Sequence, residues 1–177
     1  MILGLDISTS ITGATVIDEN GKIAYNQAWD LRKYKDFFEK AVVIKHKIWE
    51  VADTFCIKKV YIEQSLQSFR SGFSSAKTLS TLSRFNGVVS WMCYDVLAIS
   101  PEYIAATSAR KLCGIKVPKG VKAKKVVIQY VLDNVPDVNI LYTKHGNPKP
   151  DCFDKADSWV IAQAGWLQCQ EEAKSQY

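Results

Sequence analysis

The chain opens MILGLDISTSITGATVID, an apolar run broken by a single acid, Asp6, then a hydroxyl-rich stretch and a second apolar run. A nearly continuous apolar segment such as residues 2–7 suits a strand covered on both faces, which places it inside a layered sheet rather than at a surface. Residues 12–18 have the β-branched, alternating composition of a second strand. The Asn-Gly pair in DENGK is a strong two-residue hairpin signal, so residues 22–29 are expected to return antiparallel as a third strand. A carboxylate in that setting is costly unless it has a purpose.

The remaining pattern fills in the layers. Phe37, Ala41, Ile44, Ile48, Val51 and Phe55 recur at steps of three and four, which predicts an amphipathic helix over 33–55. KKVYIE (58–63) reads as a short strand reached by a crossover and so parallel to the first. Residues 64–74 are polar and Gly/Ser-rich, a loop. A closely packed helix over 75–96, a strand over 97–105, a short helix over 108–113, and helices over 123–134 and 152–172 follow. Between the last two lies a loop, TKHGNPKP, carrying Lys144, His145 and Lys149. The expected fold class is α/β: a mixed five-stranded sheet, its first three strands antiparallel, with helices on both faces.

A chain of 177 residues fits one domain, taken as 1–177, and buries about 70% of its unfolded surface, so it needs no disulfide or metal to fold. Its five cysteines are odd in number and scattered, with no CxxC, and read as reduced thiols in a reducing compartment. The opening has no basic n-region, and no stretch reaches about 18 uninterrupted apolar residues, so neither a signal peptide nor a membrane span is expected. The expected location is the cytoplasm. The net charge of +5 is modest, but Arg110, Lys111, Lys116, Lys119, Lys122, Lys124 and Lys125 occur with no acid among them. That local field suits phosphates, although a solvated loop would look the same.

Four acids stand out: Asp6 in the first strand, Glu63 at the end of the fourth, and Asp154 with Asp157 in DKAD near the start of the last helix. If strands one and four are parallel neighbours, Asp6 and Glu63 emerge side by side. A spacing of three puts Asp154 and Asp157 about 60° apart around a helix and ~4.5 Å along it, on one face. Carboxylates gathered this way repel, and a cation relieves them. Hard oxygen ligands without His or Cys point to Mg²⁺, with Mn²⁺ able to substitute, and two such ions support in-line displacement at phosphorus. Taken singly, each acid also has a plainer explanation: loop amides, a lysine partner, or a helix dipole.

ILGLDISTSITGATVID, VYIEQS, KAKKVV and DCFDKADSWVIA resemble, in kind, order and spacing, the motifs of RuvC-type Holliday junction resolvases in the RNase H-like (retroviral integrase) superfamily. The resemblance runs from Ile2 to about Gly165. It implies a homodimeric, magnesium-dependent endodeoxyribonuclease that cuts two like strands of a four-way DNA junction symmetrically. The departures from the family pattern suggest a diverged member, such as one from a virus or phage, which would work in the host cytoplasm. The resemblance implies Asp6, Glu63, Asp154 and Asp157 as catalytic metal ligands and Lys122 as the best match to a basic residue at the scissile phosphate. Arg110 and Lys111 match an earlier basic position more loosely. Lys119, Lys124 and Lys125 would hold the DNA backbone. Relatives often carry an aromatic wedge shortly after the IEQ motif. Here Leu66 stands third after Glu63, and Phe69 and Phe73 come later as candidates to stack on an opened base pair.

Other readings stay open. An RNase H-like nuclease acting on flaps or RNA–DNA hybrids would share the site, and a catalytically silent junction-binding protein would share the fold. The opening also resembles the first phosphate motif of actin-like ATPases, but those need a second domain of similar fold.

Overall fold

The computed structural model describes residues 1–64 and 76–175. The proposed stacking residues Phe69 and Phe73, with Leu66, lie outside them. The elements are β1 (Ile2–Asp6), β2 (Ile11–Ile17), β3 (Ile23–Asp30), α1 (Phe37–Thr54), β4 (Lys59–Glu63), α2 (Ala76–Leu97), β5 (Glu102–Ile104), α3 (Ala106–Leu112), α4 (Ala123–Asn134) and α5 (Pro150–Ser175). The sheet order is β3-β2-β1-β4-β5, antiparallel through the first three strands and parallel from β1 to β4 to β5.

Strand alternation sends successive side chains to opposite faces, and each face has its own helical cover. Leu3, Leu5, Ile7, Ala14, Val16, Val60 and Ile62 pack with α1 and α2 through Ile44, Ile48, Val51, Phe85 and Val89. Ile2, Ile17 and Tyr61 face α5, α4 and α3 through Ile161, Ala162, Val127 and Ala109. Gly4, Asp6, Gly13, Thr15 and Glu63 share the parity of that second set.

α5 lies unusually close to the sheet because small residues line its bed. A methyl added at Gly13 would collide with the Asp154 carbonyl and the Ser158 side chain, and one at Gly4 with the backbone and side chain of Ala162. A buried polar chain ties the same surfaces together. Asn26 Nδ2 donates to Thr15 Oγ1 at 2.7 Å and to the Lys155 carbonyl at 3.0 Å. Ser158 Oγ donates to that carbonyl at 2.9 Å and lies 2.8 Å from Thr15 Oγ1, so the threonine is the donor in the last link.

Several boundaries differ from the sequence expectation. α1 begins at Phe37, not 33, because the Asp36 carboxylate accepts from the amides of Phe38 and Glu39 and caps the helix there. The expected strand over 97–105 shrinks to Glu102–Ile104: α2 runs on to Leu97, Ala98 turns left-handed at φ 54°, and Pro101 has no amide to pair. α3 starts two residues early, and α5 opens at Pro150, whose missing amide proton costs nothing in a first turn. All five cysteines are free thiols, and burial pushes those of Cys93 and Cys113 up to about 12. Among the described residues no helix is long and apolar enough to cross a membrane.

Candidate active site

β1 and β4 run side by side in register from Ile2 with Lys59 to Leu5 with Ile62, so Asp6 and Glu63 are the next residues at the same sheet edge. Both point to the α5 face. Asp6 is opposite Gly13 across the β1–β2 ladder, and Gly13 is the residue against which the Asp154 backbone rests. The first turns of α5 are thereby held over the ends of the two strands, and Asp154 and Asp157 face them. The structure brings together all four acids, each half-buried.

Their electrostatics record the crowding. Burial and then the charges of Glu63 and Asp157 push the Asp6 carboxyl well above the usual range, with Lys124 opposing and Asp154 adding to the rise. Burial and then Asp157 push Glu63 up to about 7, against the pull of Arg110 and Lys124. Asp154 and Asp157 are also raised, chiefly by burial, and Lys124 limits both shifts. This is the behaviour of carboxylates that share a site and lack enough counter-charge.

The counter-charge present comes from α4. Lys124 Nζ stands 3.6 Å from Asp154 Oδ1 and 3.6 Å from Asp157 Oδ2; the two carboxylate side chains are 14% exposed, whereas the lysine is 61% exposed. Burial works against its charge, and Asp157, Asp154 and Asp6 overcome that, leaving the ammonium above the ordinary lysine range. Arg110, half-buried at the end of α3, reaches the cluster through its charge on Glu63 and Asp157.

The other basic candidates stand farther out. Lys122 occupies the N-cap of α4, makes no side-chain cap bond and is exposed, as are Lys111, Lys119 and Lys125. The lysine that meets the acids is Lys124, a position assigned from sequence to backbone holding. No local signal separates Lys122 from Lys124, because which of them turns inward depends on how α4 docks. The TKHGNPKP loop forms a small hairpin, with Tyr142 bridged to Pro148 and its root held by Cys152 of α5; His145 is exposed at its tip.

Among the described residues, no three histidine, cysteine or acidic side chains already stand at metal-ligand spacing. The donor set nevertheless fits a hard divalent cation. Four oxygen-donating carboxylates repel one another, and the single ammonium beside them is mostly solvent-exposed and long enough to swing away.

No family model matches the sequence, and none of the curated proteins matches it. Solved structures do. Thermus thermophilus RuvC in complex with a Holliday junction substrate superposes with a TM-score of 0.66 at 13% identity, covering 96% of this chain and 94% of that one. The fold is that of the RuvC-type Holliday junction resolvases. A second T. thermophilus RuvC structure aligns with a TM-score of 0.61 at 15% identity, over 97% of this chain and 96% of that one. The yeast mitochondrial Holliday junction resolvase Ydc2 aligns at 0.62 and 14%, over 98% of this chain and 80% of its own. The RuvC fold is therefore shared across the described residues, at a sequence distance where shape alone is shared.

Proposed function

We propose that this chain is a structure-selective DNA endonuclease that resolves four-way junctions, working as a homodimer with two Mg²⁺ ions per site. The observation that carries the reading is the convergence of Asp6, Glu63, Asp154 and Asp157, with Lys124, at the carboxyl edge of β1 and β4 in a RuvC fold. The named neighbours, one of them in complex with a Holliday junction substrate, support the choice of DNA over other phosphodiesters.

The four carboxylates would hold the ions, which would supply a water nucleophile at neutral pH and charge stabilisation at the leaving oxygen. Asp6 and Glu63 present their oxygens from the sheet, where the β1–β4 ladder fixes their separation. Asp154 and Asp157 present theirs from a helix wedged against Gly13, so the two halves of the site cannot slide independently. Lys124 already lies beside two of the carboxylates, and an ammonium there is placed to meet the negative charge that builds on an attacked phosphate. Arg110 flanks the Glu63 side, and Lys111, Lys119, Lys122 and Lys125 extend the positive field outward along the DNA.

The test offers purified protein, Mg²⁺ and a synthetic four-way junction beside linear duplex, flap and RNA–DNA hybrid substrates. Paired symmetric nicks in the junction are expected, and Asp6→Asn or Asp154→Asn should reduce the rate at least about a hundredfold, the loss of roughly 3 kcal/mol of transition-state stabilisation. Cutting that survives both substitutions would remove this site from the reaction, and preferential cutting of the hybrid would make it an RNase H-like enzyme instead.

A further inference from the structure

The acids occupy the middle of one sheet edge, and the basic segment of α3 and α4 flanks them on the β5 side. The other flank is unassigned. β3 is antiparallel to β2 and therefore parallel to β1, so its last residue, Asp30, paired with Ile11, comes out at the same edge as Asp6. Two strand spacings, about 10 Å, separate β3 from β1. The segment that leaves β3 there reads Arg32-Lys33-Tyr34-Lys35.

This β3–α1 loop is fixed in place. Leu31 is fully buried, and its amide donates to the Ser10 carbonyl at 2.8 Å, pinning the loop to the hydroxyl-rich β1–β2 turn. The Tyr34 amide donates to the Leu31 carbonyl at 3.1 Å, and Asp36 caps α1. Asp30 grips Arg32 through Nε–Oδ1 at 2.9 Å and Nη2–Oδ2 at 2.6 Å and also accepts the Arg32 amide. Three guanidinium N–H bonds remain to spare. Lys33 Nζ lies 4.9 Å from the centre of the Tyr34 ring. Lys40 Nζ donates to the Thr9 carbonyl at 2.6 Å, bracing the turn from the α1 side.

The loop is also electrically within reach of the site. Asp30 is the main cause that raises the Arg32 guanidinium, and Asp151 and Asp154 of α5 add to it. Lys33 and Lys35 are exposed and take part in none of the ion pairs among the described residues. Unspent cations on a rigid loop, beside hydroxyls and in line with a carboxylate cluster, have the makings of a phosphate seat.

We propose that the β3–α1 loop, through Arg32, Lys33 and Lys35 with the Ser8–Ser10 turn beside it, is a second seat for the nucleic-acid backbone, across the acids from Arg110 and Lys111. Phosphates held on both flanks would span the carboxylates and prevent the strand from pivoting about a single anchor. The inference rests on the proposed nuclease reading for the identity of its ligand.

Binding is measured by anisotropy on a labelled four-way junction and on linear duplex, between 50 and 300 mM salt, in the full chain carrying Asp6→Asn to prevent cutting. Adding Lys33→Ala with Lys35→Ala should weaken binding to both DNAs and reduce the slope of log K against log salt by about 1.8, roughly 0.9 for each phosphate no longer neutralised. Lys33→Arg with Lys35→Arg should restore it. Lys58→Ala, an exposed lysine at the opposite end of the sheet whose amide bonds Met1, should change neither quantity. A double-alanine slope equal to that of Lys58→Ala overturns the second seat. If the Asp6→Asn chain binds no DNA even at 50 mM salt, both the seat and the nuclease reading fall; if it binds but the wild-type chain cuts nothing, only the nuclease reading falls.

Discussion

At the residue scale the four acids set the behaviour of the metal-free protein. Glu63 has its carboxyl raised to about 7 from an ordinary 4.5 by burial and Asp157, and Asp6, Asp154 and Asp157 shift the same way. The folded state therefore holds protons that the unfolded chain has released. The corresponding stability is present below about pH 4.5 and is lost as pH rises through about 7. In EDTA the melting temperature should fall between pH 5 and pH 8, and Asp157→Asn, which removes one repelling charge, should flatten that fall and raise the melting temperature at pH 8. A metal-free melting temperature that climbs over this interval would contradict the crowding. Asp6 and the DKAD pair were legible as residue types in the sequence. The partner they found was not, because Lys122 at the N-cap and Lys124 in the first turn look alike in the sequence, and only the docking of α4 decides which one reaches the acids.

At the element scale the site depends on how closely α5 approaches β1 and β2. Gly13 is the narrowest point: a Cβ there would overlap the Asp154 carbonyl, so Gly13→Ala forces the helix off its bed or strains it in place. Overpacking of this kind costs about 1–3 kcal/mol, and urea unfolding should show a midpoint lowered accordingly, with cleavage falling more than stability because Asp154 moves with the backbone. Wild-type stability in Gly13→Ala would mean the packing there is softer than it looks. The sequence carried the strands and long helices well, since two-residue and 3.6-residue periodicities are local properties of the chain. It misjudged ends where a single side chain decides, as at the Asp36 cap and the left-handed Ala98, and it overextended β5, whose length is set by its pairing with β4.

At the scale of the whole molecule, symmetric cutting requires two sites, and an apolar surface is available to pair them. Phe38, Val42 and Trp49 form one exposed stripe of α1, and Trp91 and Tyr94 continue it on α2, with exposures from 52% to 71%. Lys45 crosses the stripe, bonded to Asp95 at 2.8 Å and lying over the Trp91 ring. If the proposed homodimer uses this face, a second copy would cover the stripe. Trp91→Glu should weaken the dimer by about 2 kcal/mol or more, seen as a shift to monomer in gel filtration, and should turn paired cuts into slow single nicks. An unaltered elution volume would place the dimer interface elsewhere.

What the sequence determined alone was the fold class and the face on which the acids lie. Asp6 ends the parity of Ile2 and Gly4, and Glu63 ends the parity of Tyr61, so once β1 and β4 pair in register both carboxylates must emerge on the same side. Tertiary structure decided what meets them there. The seating of α5 on Gly4 and Gly13, the rotation of α4 that turns Lys124 inward, and the return of β3 that brings Arg32 to the same edge all join segments far apart in the chain. Their geometry is fixed by packing against surfaces that no local pattern encodes.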